Sequence, residues 1–166
     1  LQNATACTAS SKRQEDATRA AGQSNVTLIQ WPWQAFPTHQ RTRPAGPLRA
    51  LVPRHPSHES GLLALKAAIE NLPPDVLELT VIDGSPTPIQ TDAQRWGGCN
   101  VHWQSSVARA ELADLLHNHQ LWIEPTLSGG DDLALTREIL SAGLWLVASD
   151  ASAAAELLQN SQAGTL

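Results

Sequence analysis

The stretch Glu124-Pro125-Thr126-Leu127-Ser128-Gly129-Gly130-Asp131-Asp132, continuing through Arg137-Glu138 to Gly143-Leu144-Trp145-Leu146-Val147-Ala148-Ser149-Asp150, decides how this chain reads. An apolar strand leads into a Gly-rich loop, a short helix, a Gly stop and a second strand. A Gly-rich loop that opens a helix after a parallel strand collects anionic ligands. Free backbone N–H groups and the positive end of the helix dipole point outward there. Glu138, two turns into the helix, is within reach of a sugar hydroxyl on the same ligand. The combination predicts a nucleotide-sugar site.

Outward from that stretch, apolar runs alternate with amphipathic helices, the pattern of an α/β protein with a parallel sheet flanked by helices. The first part reads as strand 4–9, helix 12–21 ended by Gly22, and strand 26–30. Trp31-Pro32-Trp33 and a Pro-, Thr- and Arg-rich run to Pro47 then read as linker or irregular loop. From Leu48 the alternation is regular. Strand 48–52 precedes helix 59–72, which has Leu62, Leu65, Ile69 and Leu72 on one face and ends at Pro73-Pro74. Strand 77–82 ends in the turn Asp83-Gly84-Ser85-Pro86, and strand 100–104 follows. Ser106 suits the cap of helix 107–118, which turns Leu112, Leu115 and Leu116 inward. Strands 120–124 and 144–148 and a helix over 151–159 complete the pattern, with Gly164-Thr165-Leu166 reading as the start of an element cut short.

The length of 166 residues fits one domain with an appendage and is enough to bury a core. The formal charge of −5 comes from 16 acidic against 11 basic residues, with no basic run, which argues against nucleic acid or an anionic membrane as partner. No apolar segment approaches the length of a transmembrane span and the start is not a signal peptide, so a cytoplasmic setting is expected. The two cysteines, Cys7 and Cys99, read as buried free thiols. The absence of an initial Met reads as a fragment or a processed chain.

The same residues resemble the retaining glycosyltransferases of the GT-B fold, family-4 type. Members carry Pro-Ser, a loop, Glu-Gly-Phe-Gly-Leu and then Glu-Ala-Met-Ala-x-Gly-x-Pro-Val-Val-Ala-Ser. Glu138 to Ser149 keep the second glutamate, the Gly five residues on and the Val-Ala-Ser strand. Gly130 stands eight residues before Glu138, where the first glutamate is usual. A branch with an Asp-Gly-Asp loop followed by Arg-Glu is more similar to Gly130-Asp131-Asp132 and Arg137-Glu138. Asp83-Gly84-Ser85-Pro86 lies where the family has Gly-Asp-Gly-Pro. Residues 101–107 lie where it has Val-x-Phe-x-Gly-x-Val, with Ser105 in place of the Gly, and Glu156-Leu157-Leu158 and Gly164 also match.

This resemblance implies that 48–166 form the donor-binding Rossmann-like domain, truncated at its C-terminus, and that 1–47 are the end of the N-terminal half and the hinge. The missing half, or a partner subunit, would complete the enzyme, which would be peripheral to the membrane in its full-length form. The implied activity moves a sugar from a nucleotide diphosphate sugar, with retention, to a glycan or lipid-linked acceptor, as in polysaccharide biosynthesis. The nucleotide sugar is substrate, and no cofactor is implied. By itself the chain is expected to be inactive. The alternative is a catalytically degenerate GT-B module that binds or regulates a partner.

Carried over position by position, the resemblance assigns donor binding to Arg54, Ser60, Ser105, Ser106, Val107, Gly129, Gly130, Asp131 and Glu138. Glu138 would accept hydrogen bonds from the ribose hydroxyls. Arg54 would neutralise the diphosphate, while the partnering Lys of the family is replaced by Glu59 or Ser60. Ser105 to Val107 would meet the base. Gly129 and Gly130 would let the donor approach the backbone, and Asp131 or Asp132 would touch the sugar or simply cap the helix. His55 with His58, and His117 with His119, lack a second ligand pair at zinc spacing, so no metal is expected. His117 and His119 read as cationic caps of a helix end. Trp103, Trp122 and Trp145 read as core, and Trp31 and Trp33 as a surface that packs against a partner domain.

Overall fold

Ala50, Leu51 and Val52 are wholly excluded from solvent, which happens to consecutive strand residues only when both faces of the sheet are covered. The computed structural model describes residues 6–29, 32–42, 44–54, 61–83, 94–105, 107–128, 133–159 and 164–165. In chain order these give β1 (Cys7–Ala9), α1 (Lys12–Ala20), β2 (Val26–Leu28), β3 (Leu48–Arg54), α2 (Leu62–Ile69), β4 (Leu77–Asp83) and β5 (Gln94–Trp96). There follow β6 (Cys99–Ser105), α3 (Arg109–Asn118), β7 (Leu121–Glu124), α4 (Leu133–Ser141), β8 (Trp145–Ala148), α5 (Ala155–Leu158) and β9 (Gly164–Thr165).

The main sheet runs β5-β6-β4-β3-β7-β8-β9, and every pairing except the β5–β6 hairpin is parallel. Numbered along the chain, its parallel strands stand in the order 3-2-1-4-5-6, the doubly wound Rossmann-like arrangement. Alternating side chains build one core on each face. Ala50, Val52, Leu79, Val81, Val101 and Ile123 pack with Ile69 of α2. Leu51, Trp122 and Leu146 pack with Leu116 of α3, Ile139 of α4 and Leu158 of α5. Right-handed crossovers account for the split. The step from β3 to β4 goes one way along the sheet, whereas β6 to β7 and β7 to β8 go the other.

β1, α1 and β2 make a separate parallel pair joined by one helix. Ser11 caps α1 by accepting the Gln14 amide at 3.1 Å, and Gly22 at φ 93° follows its end. This unit is tied to α5. The Glu156 carboxylate accepts the Lys12 and Arg13 amides at 3.0 and 2.6 Å, a negative charge at a helix N-terminus. Arg13 in turn donates to the Ala151 and Asp150 carbonyls.

Several expectations need correction. The helix expected at 107–118 starts at Arg109 with Ala108 at the cap, whose amide donates to Glu111 at 3.0 Å; Ser106 lies outside the described residues. Of 151–159 only Ala155–Leu158 is α-helical, the preceding residues forming turns closed by the Ser149 carbonyl. β5 escaped the sequence reading, although its turn to β6 is Gly97-Gly98, where a Cβ would fall 2.4 Å from the Glu70 carbonyl or 2.7 Å from Pro74. Trp122 is core as expected, but Trp145 is 54% exposed, because it opens β8 at the rim of the sheet. Cys7 and Cys99 are free, with only Cys99 buried. Among the described residues no helix is long and apolar enough to cross a membrane.

Gly61 joins α2 to the rest of the sheet edge. It precedes the helix at φ 64°, and a Cβ there would lie 1.7 Å from the Pro125 carbonyl oxygen. Gly61→Ala is therefore expected to destabilise the chain by more than the ~1–2 kcal/mol of a left-handed L-residue alone, since the overlap adds to it. Urea unfolding of the two chains measures the difference; equal midpoints would contradict the close approach.

Candidate functional site

The parallel strands all end at one edge, and the chain leaves β3 and β7, which lie side by side, in opposite directions. That is the switch point at which an open α/β sheet forms a crevice. Arg54, Asp83 and Ser105, the last residues of β3, β4 and β6, stand in one row across this edge. The Asp83 carboxylate is almost wholly buried and accepts Arg54 Nη1 at 2.7 Å. The Arg54 guanidinium also lies 5.7 Å from the centre of the Trp103 ring, a cation–π contact. Ser105 is exposed at the end of the row, and Val107 is half-buried just before α3.

On the other side of the switch point, Glu124 ends β7 buried and accepts a hydrogen bond from the Thr126 hydroxyl. A depression of ≈ 230 Å³ opens beside it, lined by Gly61, Leu65, Pro125, Leu127 and Ser149. It is mostly apolar, and the buried Glu124 also lines it.

Glu138 occupies a different place. It sits in α4 on the face shared with α3, only 9% exposed, and both of its oxygens are engaged. Oε1 accepts the Gln34 amide at 2.8 Å and Oε2 accepts Arg109 Nη1 at 2.7 Å. Arg109 Nη2 donates back to the Gln34 carbonyl at 3.0 Å, so the ion pair holds both polar groups of one peptide residue. Burial pushes the Glu138 carboxyl up, but the Gln34 amide and Arg109 together outweigh it and bring it below its ordinary value.

Gln34 belongs to an irregular strap that crosses α3 and α4. Phe36 is buried in the core beneath it, with the Arg109 guanidinium 4.5 Å from its ring centre. The Phe36 amide donates to Ser141 Oγ, and the Thr38 hydroxyl to the Ser141 carbonyl. Arg41 donates to the carbonyls of His117, His119 and Ala142, closing the ends of both helices. The run that read as linker or irregular loop is irregular, and from Gln34 to Arg41 it packs on α3 and α4.

Arg54 and Glu138 are not in contact. Strand alternation puts Arg54 with Ala50 and Val52 on the α2 face, while Glu138 lies under the strap on the opposite face. Ser60, Ser106, Gly129, Gly130, Asp131 and Asp132 lie outside the described residues, as do His55, His58 and Trp31. Trp33 is 46% exposed and stands with Leu28 and Ile29 among the exposed large apolar residues of the N-terminal part. His119 corrects another expectation. It is buried, burial holds its pKa below the ordinary value despite the Leu115 carbonyl, and it is a neutral ring rather than a cationic cap. Nδ1–H donates to the Leu115 carbonyl at 2.6 Å, which leaves Nε2 to accept the Thr80 hydroxyl at 3.1 Å. Among the described residues no group of three or more His, Cys, Asp or Glu could hold a metal ion.

Arg109 is the residue that the sequence reading missed. A cation in the first turn of a helix opposes the dipole, and that misplacement was the available signal that it serves a carboxylate elsewhere. No protein-family model matches the chain, and no curated protein matches it.

The Glu138 knot makes stability depend on pH with a definite sign. A carboxyl held below its unfolded value contributes stability that is complete above the ordinary glutamate value of 4.5 and is lost as pH falls through the lower native value. Glu138→Gln is expected to cost about 1.5–3 kcal/mol at pH 7, the range for hydrogen bonds to a charged group. The difference between the two chains should shrink as the medium is made more acidic than pH 4.5. Denaturant midpoints measured across that range check both statements.

Proposed function

We propose that the chain is the donor-binding half of a retaining GT-B glycosyltransferase, taking a nucleotide diphosphate sugar at the C-terminal edge of its sheet. The observation that carries this reading is the Rossmann-like strand order, with an arginine at the end of the strand that starts it. Glu138, on the helix after the strand across the switch point, supports it as a carboxylate held in its charged form.

The chemistry asked of each residue is simple. Arg54, at the rim with about a third of its side chain exposed, offers donors to a diphosphate and to the charge that grows on it as the glycosidic bond breaks. Glu138, once reached, offers acceptors to the ribose hydroxyls. Ser105 and Val107 flank the entrance to α3, where a base would lie. The acceptor, a glycan or a lipid-linked sugar, would be held by a second half or a partner subunit, since a transferase must orient both reactants.

A second reading, a catalytically degenerate GT-B module that binds or regulates a partner, is favoured by one specific observation. Both candidate donor-binding side chains already have protein partners, Arg54 with Asp83 and Glu138 with Arg109.

Calorimetric titration with uridine, guanosine and adenosine diphosphates separates the two. One of them is expected to bind, and Arg54→Ala to weaken that binding by about 1.5–3 kcal/mol, the range for hydrogen bonds involving a charged group. If no nucleotide diphosphate binds the intact chain, only the second reading survives.

A further inference from the structure

We infer that the strap from Gln34 to Arg41 is a built-in competitor of the donor, and that a nucleotide enters only by lifting it from Glu138. This rests on the reading of Glu138 as the ribose acceptor.

The competition is chemical before it is steric. A carboxylate that receives two ribose hydroxyls takes one hydrogen-bond donor on each oxygen. In the strap-closed chain those two places are taken by the Gln34 amide at 2.8 Å and by Arg109 at 2.7 Å. The Glu138 side chain is 11% exposed, so a sugar has no path to it while Gln34 lies across it. The strap makes one of these bonds, from Gln34 to Oε1, while Arg109 belongs to α3. A ribose hydroxyl replaces the Gln34 amide on Oε1, and the strap's own anchoring decides that exchange.

That anchoring is one-sided. Residues 32–35, 37 and 38 are exposed, and no strand or helix holds the segment. It is kept down by the buried Phe36 ring, by the Phe36 amide and the Thr38 hydroxyl on Ser141, by the His39 amide on the Ala142 carbonyl and by the three carbonyl bonds of Arg41. Its packing on the helices is not continuous. A half-open pocket of ≈ 190 Å³ lies where Phe36, Pro37 and His39 meet Ala113, Asp114, His117 and Ala142. A segment with an open pocket along it makes fewer contacts there than a close-packed one and lifts at lower cost.

A ligand that needs a minor open state binds more weakly by the fraction of molecules in that state. For a strap closed in about nine molecules of ten, full release would raise the apparent affinity by about tenfold. Arg41 touches neither Glu138 nor the sheet edge, so Arg41→Ala loosens the strap and spares the site. Thr38→Val, which removes a single exposed hydroxyl bond, replaces it if Arg41→Ala does not fold.

Two measurements test the inference, with the nucleoside diphosphate that binds the intact chain as probe. Hydrogen exchange of the Gln34 amide should be slowed about tenfold in the free chain and lose that protection when the nucleotide saturates it. The strap-loosened variant should bind the same nucleotide about tenfold more tightly. Binding with the Gln34 amide still protected overturns the strap and the ribose role of Glu138 but leaves donor binding at Arg54 standing, and no gain in affinity in the variant overturns the strap alone. Failure of all three diphosphates to bind the intact chain overturns both.

Discussion

The central strand β3 carries Ala50, Leu51 and Val52 wholly out of water, and the requirement to cover both of its faces organises the rest of the domain. Parallel strands cannot be joined by tight turns, so the crossovers that leave β3, β6, β7 and β8 each supply a helix, and the direction of travel decides which face that helix covers. Among the described residues one face receives α2, the other α3, α4 and α5. The same topology gathers the ends of β3, β4, β6 and β7 on one edge, where a ligand crevice belongs. Burial thus comes first, and the candidate site is a by-product of how the burial is achieved.

On the crowded face the helices leave a groove that the strap fills with Phe36, and this brings charge into the protein interior. Arg109 opens α3, where the dipole opposes a cation by about 0.3–1 kcal/mol. Its bonds to the buried Glu138 carboxylate and to the Gln34 carbonyl offset that. Glu138 alone in the same place would be a buried carboxylate without a donor. The three groups therefore stand or fall together, and the position of the strap is coupled to the charge state of a candidate ligand-binding residue.

The regular elements were legible because their signal is local. Alternation over 77–83 and the apolar face of helix 62–69 follow from the period of strand and helix. The failures have a common cause, which is that tertiary position overrides local pattern. Trp145 reads as core by residue type and is exposed because it begins its strand at the rim. His119 reads as a dipole cap, yet the β4 hydroxyl of Thr80 and the Leu115 carbonyl enclose it as a neutral ring. The strap had no period to detect. Its bonds join residues about a hundred positions apart, such as Gln34 to Glu138, through side chain to backbone contacts that leave no trace in spacing. Arg54, Asp83 and Glu138 could be singled out from motifs, but not the pairing of Arg54 with Asp83, nor Arg109.

Those partners bear on why position 54 holds an arginine. The Asp83 carboxylate is 3% exposed, and a buried carboxylate stripped of its cation costs about 3–5 kcal/mol. A group that left Asp83 to meet an incoming diphosphate would forfeit most of what it gained. A guanidinium avoids the choice, because it presents five N–H donors in a fixed plane. Nη1 stays on Asp83 at 2.7 Å, the side chain is about a third exposed, and the Trp103 ring lies against the guanidinium. An ammonium, a single point charge, would have to divide itself between the two anions. Under the proposed function the ion pair with Asp83 is therefore the means by which Arg54 is held ready at the edge of the sheet, and the carboxylate fixes the guanidinium without using it up.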